Sequence, residues 1–398
     1  MARQTDAAPR RVLPVLVLAQ FCGTSLWFAV NAVMPDLQRE LGWPAAAVGT
    51  LTSALQGGFI AGTLVFALLA LADRLPTRAL FLVSSLAGAL ATVGAWASVR
   101  DFDSLLVWRF ATGFCLAGIY PVGMKIAAQW FPRGLGAALG LLIGALVLGS
   151  ASAHLLRGLA AALPWPSVML GVAALAAAGG IGLYLGLPEP PVPQAQRGAT
   201  AVGLQRRALA SLLLDRRVRA SVLAYFGHMW ELYTFWVLVP LILAPRLAGP
   251  ALSFAAFAVL GVGVVGCVAG GALVRRFGSA RVGGFQLAAS GLCCLIAPWL
   301  IDASTLPFAL WLIVWGITVS GDSPQFSALT ATNAPAQAVG SVLTLSNCIG
   351  FTISIVSIEL HTWLLQSMPL GQVLAWIAIG PLIGVLALRP LWRAASSR

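Results

Sequence analysis

"PEPPVPQAQRG", residues 188–198, interrupts an otherwise apolar chain of 398 residues. Prolines 188, 190, 191 and 193 cannot continue a helix, and a basic stretch follows as far as Arg217. Working outward, six apolar runs precede this segment, at 12–34, 46–72, 78–98, 104–128, 135–157 and 166–187. Six more follow it, at 218–243, 251–274, 281–301, 305–328, 338–364 and 370–388. A bilayer core about 30 Å thick takes roughly 20 apolar residues per helix. With 59% hydrophobic and only 9% charged residues, the composition excludes an ordinary soluble domain. The runs are too long and too continuous for barrel strands, which alternate over about ten residues. The expected fold is all-α and integral to the membrane. Twelve transmembrane helices fall into an N-terminal six-helix bundle (1–187), a cytoplasmic Pro/Arg-rich linker (188–217) and a C-terminal six-helix bundle (218–398).

The first run follows Arg10 and Arg11 but continues past Trp27 to Met34 without a small-residue cleavage pattern, so it reads as a retained helix rather than a signal peptide. A net charge of +12 raises the question of nucleic acid, and the placement of the charges answers it. With the N-terminus inside, 19 of the 24 Lys and Arg residues fall at cytoplasmic ends, Arg197, Arg206, Arg207, Arg216, Arg217 and Arg219 in the central loop among them. The positive-inside rule then puts both termini in the cytoplasm of a cell (inner) membrane protein. No nucleic-acid partner is expected, the lipid bilayer is, and the chain reads as a monomer. Six cysteines all lie inside apolar runs and read as small packing residues, the adjacent Cys293 and Cys294 included.

"ADRLPTR" (72–78) and "VRRFGSAR" (274–281) close the second and eighth runs about 202 positions apart, which points to a duplicated six-helix unit. The first of these loops resembles the motif GxxxD(R/K)xGR(R/K) of the major facilitator superfamily. Asp73, Arg74 and Arg78 match, whereas Leu69, Pro76 and Thr77 stand where the family has Gly, Gly and Arg. "RFATGFCLAG" is similar to the family's fourth-helix RxxxGxxxAG through Arg109, Gly113, Ala117 and Gly118. The resemblance implies two bundles around a central cavity open alternately to either side. It also implies a gating motif (Asp73, Arg74, Arg78) that pairs with the other half in one state. The plainer alternative is that these arginines only set topology. The fifth helix lacks the GPxxGG of the family's drug and proton antiporters. The arginines that nitrate porters carry in the second and eighth helices are absent too, although "QWFPRGLGAALG" looks broadly like that branch.

Charge at mid-membrane costs about 2.5–3.5 kcal/mol on insertion scales, so each such residue is a functional candidate. "GHMWELYTFW" (227–236) places His228 and Glu231 three apart, on neighbouring faces of one helix, where a carboxylate and an imidazole can share a proton near neutral pH. The other reading of this pair is a lock between helices. Arg109 stays charged and needs a counter-charge, a set of carbonyls or an anionic solute. Asp322 sits in "GDSPQF", where Pro324 frees a backbone carbonyl, an arrangement suited to a site or a gate. Tyr233, a turn from Glu231, is the aromatic residue most suited to wall a cavity. Gln56 and Asn347, with Gln20, Thr24 and Asn31, supply mid-depth polar groups that serve either helix packing or a ligand. Gly140 and Gly144 form a GxxxG pattern for close helix approach.

The expected function is secondary active transport of a small polar or anionic organic solute, coupled to protons, by alternating access. Glu231 with His228 would be the protonation pair, Arg109 the electrostatic contact and Asp322 a second titratable site. The alternative is a proton-driven exporter of amphiphilic or cationic compounds. An enzyme is not expected: HExxH, P-loop and GxSxG motifs are absent, and neither a metal nor a cofactor is called for.

Overall fold

Without water to satisfy its polar groups, a lipid-embedded backbone closes its own hydrogen bonds, so long apolar runs become helices. The computed structural model describes residues 9–44, 46–131, 135–188, 210–335 and 338–395. Most of the proposed linker, 189–209, lies outside these, as do Arg133 and the termini. Twelve spans follow in order: α1 (Val12–Leu41), α2 (Ala47–Leu68), α3 (Thr77–Ala97), α4 (Phe102–Trp130), α5 (Leu135–Leu159) and α6 (Pro166–Gly186). Beyond the linker come α7 (Arg216–Leu243), α8 (Gly249–Phe277), α9 (Ser279–Leu295, continued as Ala297–Leu300), α10 (Thr305–Asn333), α11 (Val339–Leu364) and α12 (Leu370–Trp392). Eleven are long and apolar enough to cross a membrane unbroken. The ninth is divided at Ile296, ahead of Pro298.

Local sequence sets where these helices start and bend. The Asp215 carboxylate accepts from the backbone N–H groups of Arg217 (2.7 Å) and Val218 (3.1 Å), so α7 begins at Arg216, ahead of the expected 218. α1 tightens into a 3₁₀ turn at Ser25–Phe28, restarts at Ala29 and runs through Pro35 to Leu41, past the expected end at Met34, stopping at Gly42 in the left-handed region. α4 and α10 bend at matching places, before Pro121 and Pro324, 203 positions apart.

Within each half the second and fourth helices touch backbone to backbone. A Cβ on Gly113 would stand 1.8 Å from the Leu55 carbonyl oxygen, and one on Gly58 1.9 Å from that of Phe110. In the second half, a Cβ on Gly266 would stand 1.9 Å from the Ile317 oxygen. The glycines are what permit the approach.

The halves meet along α2 against α11 and α5 against α8. On the face away from the chain termini the seam is tight: an added Cβ would lie 2.8 Å from Thr362 at Gly49 and 2.8 Å from Phe254 at Gly158. Gly144 still meets Val264 at mid-depth, but one turn toward the terminal face a Cβ on Gly140 would meet nothing within 4 Å, and the same holds at Gly271 and Gly340. The expected close approach therefore holds at Gly144 and not at Gly140. At these glycines the seam is tight on the far side and looser on the terminal side, where the end of α10 (Ser323–Asn333) still touches α5.

Candidate functional site

α7 carries three kinds of group on three faces. Glu231 turns into its own half, fully buried between α9 and α10. Its carboxylate accepts from Trp315 Nε1 (2.7 Å), Ser290 Oγ (2.8 Å) and Cys294 Sγ (3.3 Å). Three donors converging on one buried carboxyl offset part of the cost of its burial.

His228 does not pair with Glu231. Its Nδ1 lies 2.8 Å from Asp322 Oδ1 at the bend of α10, both side chains fully buried. The approach has the separation of an ion pair but not the direction of a hydrogen bond, and His228 Nε2 and Asp322 Oδ2 have no partner. The expected His228 and Glu231 couple is thus replaced by two sites a turn apart. The 3.6-residue period sends these positions to different neighbours, and each neighbour offers what that side chain needs.

Tyr233 points away from both, toward the seam between the halves. Its ring is 5.6 Å from that of Trp27 on α1 and 5.2 Å from that of Phe351 on α11. Gln56 also reaches the seam, where its Oε1 accepts from Ser354 Oγ across the halves at 2.8 Å. Asn347 stays within its half and accepts from Tyr225 Oη at 2.9 Å. Pro324 lacks the N–H that would otherwise take the Ser320 carbonyl, and the Cys267 thiol donates to that oxygen at 3.3 Å.

Arg109, 1% exposed, meets a set of carbonyls rather than a carboxylate. Its Nη2 donates to Trp27 O at 2.8 Å and its Nη1 to Leu26 O at 3.4 Å, while Nε has no partner. Those carbonyls belong to the 3₁₀ turn of α1, so the bend in one helix and the buried cation of another depend on each other.

In the loop expected to act as a gating motif, Asp73 pairs with Lys125 of α4, whose Nζ also donates to Ala72 O at 2.7 Å. Arg78 donates to the carbonyls of Leu187 and Tyr184 and lies over the Tyr184 ring at 5.3 Å. Arg74 is exposed. The partners described for this motif all lie in its own half.

Sequence reasoning did not single out the donors on Glu231 or the pair formed by Asp36 and Arg157. There Nε and Nη2 of Arg157 donate to the carboxylate at 2.8 and 3.0 Å near the far face. Trp315 was within reach of a repeat argument: it stands 206 positions after Arg109, and Glu231 stands 205 after Leu26. Among the described residues no group of three or more His, Cys, Asp or Glu is arranged to hold a metal.

Against known proteins, a curated relative, the chloramphenicol resistance protein of Streptomyces lividans, is 30% identical over 254 residues. That match covers 59% of this chain and 62% of the relative, less than two thirds of its length. Among solved structures, the human organic anion transporter MFSD10 (TETRAN) superposes with a TM-score of 0.72 at 15% identity, over 97% of this chain and 100% of that one. A mutant of the nucleoside transporter NupG gives 0.74 at 16% identity, over 96% and 100%. At these identities the two likenesses speak for the fold alone. Residues 16–358 match the Major Facilitator Superfamily, and with twelve helices packed as these are among the described residues, the chain is a multi-pass membrane protein that belongs to that family.

Proposed function

We propose that the chain carries a small polar or anionic organic solute together with protons by alternating access. The bundles 1–187 and 218–398 rock about the seam, and the linker 188–217 tethers them. The chain acts as a monomer in the cell (inner) membrane, with its terminal face in the cytoplasm. The observation that carries this reading is the set of ionisable groups sealed within the helices. Arg109 rests on carbonyls in one half; His228 against Asp322, with Glu231 a turn away, occupies the other. Buried charge at this depth has to be paired or neutralised, and His228 with Asp322 can exchange a proton for a contact as α7 and α10 shift. Arg109 supplies fixed positive charge for an anion. Tyr233, Gln56 and, further toward the open side, Asn347 supply the polar and aromatic lining.

Proteoliposomes loaded with a pH-sensitive dye test it. Addition of lactate, succinate or benzoate is expected to drive protons inward with the wild type, and Asp322→Asn is expected to abolish that movement. Proton movement that is the same in protein-free vesicles, or undiminished in Asp322→Asn, would sink the coupling. A second reading, export of amphiphilic compounds, is favoured by the likeness to a chloramphenicol resistance protein. It calls for proton movement of the opposite sign on addition of tetraphenylphosphonium.

A further inference from the structure

Six aromatic rings meet where α1 and α2 face α7 and α11. Trp27, Phe28 and Phe59 come from one half, and Tyr233, Trp236 and Phe351 from the other; none is more than 3% exposed. Trp27 lies nearly parallel to Tyr233, at 21° with centroids 5.6 Å apart, and Phe59 sits 4.7 Å from Phe351. Trp236 closes the layer against Phe28 (5.7 Å) and Tyr233 (5.6 Å).

Packing alone does not account for the residue types. A seam that only seals would favour rings without polar atoms, because a buried donor without an acceptor costs stability. Here Nε1 of Trp27 and Nε1 of Trp236 have no acceptor, and neither does Nε2 of Gln56, one turn along α2 from Phe59. Five indoles elsewhere have partners, Trp108 with Ser98, Trp165 with Glu40, Trp311 with the Cys293 carbonyl, Trp315 with Glu231 and Trp392 with the Ala280 carbonyl, whereas Trp130 and Trp230, singly placed outside the layer, have none; the layer is where two such indoles and an amide N–H group come together. The layer also has one electrostatic sign. Arg109 donates to the carbonyl of Trp27 itself, whereas Glu231 and Asp322 point into the second half and Asp36 is held by Arg157.

We infer that the solute is a planar aromatic compound bearing a carboxylate or similar acceptor group, which lies between Trp27 and Tyr233 and takes hydrogen bonds from Trp27, Trp236 and Gln56. This rests on the anion reading above and narrows it to a chemical class. Insertion of a flat ring needs the two rings to part to about 7 Å, twice a stacking contact of about 3.5 Å. The rings belong to opposite halves, so the rocking that opens the seam makes the gap, and a bound ring restores to each of them the stacking partner that the opening takes away. Offset stacking on both faces supplies the preference for aromatic over saturated rings, and the three spare N–H groups supply the preference for acceptors over cations.

The test is thermal stabilisation of the purified full chain by four probes of one charge, benzoate and 2-naphthoate against cyclohexanecarboxylate and decahydro-2-naphthoate, with benzylammonium as the cation. The aromatic acids are expected to act at concentrations at least about fivefold lower than their saturated partners. Benzylammonium is expected to do nothing, and Trp27→Phe and Trp236→Phe, which keep a ring and remove a donor, to weaken the acids without abolishing the aromatic preference. Equal action of aromatic and saturated acids would overturn this inference and leave the anion reading standing. Stabilisation by benzylammonium alone would overturn both. No stabilisation by any probe at saturating concentration would overturn the aromatic assignment as well. The comparison of probes on the wild type decides the matter even if a variant fails to fold.

Discussion

Glu231 shows how a carboxylate is made tolerable inside a helical bundle. Three donors from two other helices converge on it, so its substitution removes an acceptor from all three at once. Glu231→Gln keeps the shape but replaces one acceptor oxygen with an NH₂ group that faces donors. It is expected to lower the stability by about 1–3 kcal/mol, read as a fall in the unfolding midpoint in detergent. Glu359→Gln, on the partly exposed side of α11, is expected to stay within about 0.5 kcal/mol of wild type. An equal fall in both variants would show that the Glu231 contacts contribute no more than an ordinary substitution does. At this scale the sequence was informative about which charges lie deep and poor about their partners. Deep charges are visible because they are rare: His228, Glu231, Arg109 and Asp322 all prove fully buried. That His228 meets Asp322, 94 positions away, depends on how α7 is rotated against α10, and a spacing of three within one helix says nothing about that.

The helices themselves were more legible than their contacts. Apolar length gave all twelve, Pro324 gave the bend of α10, and errors gathered at ends such as Leu41. Glycines were harder to read, since the same residue marks a close approach at one site and open space at another. Gly113, which reads from the sequence only as part of a fourth-helix motif, is the position at which α4 lies on the backbone of α2. Gly113→Ala is expected to cost more than about 3 kcal/mol, because a methyl group would meet a carbonyl oxygen of a packed helix rather than a side chain able to move. Gly140→Ala, where nothing lies within 4 Å, is expected to be neutral or to stabilise α5 slightly, since Ala favours a helix over Gly by about 1 kcal/mol. Unfolding midpoints of the two variants side by side check both; a tolerated Gly113→Ala would mean that α2 and α4 can separate at little cost.

At the scale of the molecule the duplication carries the most information, because the halves agree in backbone and differ in charge. The contact of the fourth helix with the first recurs as that of the tenth with the seventh, but Arg109 donates to a bent backbone in one case and Trp315 donates to a carboxylate in the other. At mid-depth one half therefore buries a guanidinium while the other buries carboxylates and an imidazole, and the seam between them is the surface both can influence. A ligand or proton shifts the equilibrium between seam geometries only as far as it binds them differently. The tight glycines at Gly49 and Gly158 and the open one at Gly140 place the change from close to loose packing near mid-depth. Single cysteines report on it. Gly140→Cys and Val268→Cys are expected to react with a membrane-impermeant thiol reagent well above the wild-type background, and Gly49→Cys to be protected. The six natural cysteines, all free and at least partly buried, keep that background low. If the bundles rock as proposed, conditions that favour the opposite state are expected to exchange the pattern, protecting position 140 and exposing position 49, because the α2–α11 and α5–α8 seams would then move as one body. Simultaneous exposure of both ends would describe a channel instead, and simultaneous protection a molecule that does not rock about this seam.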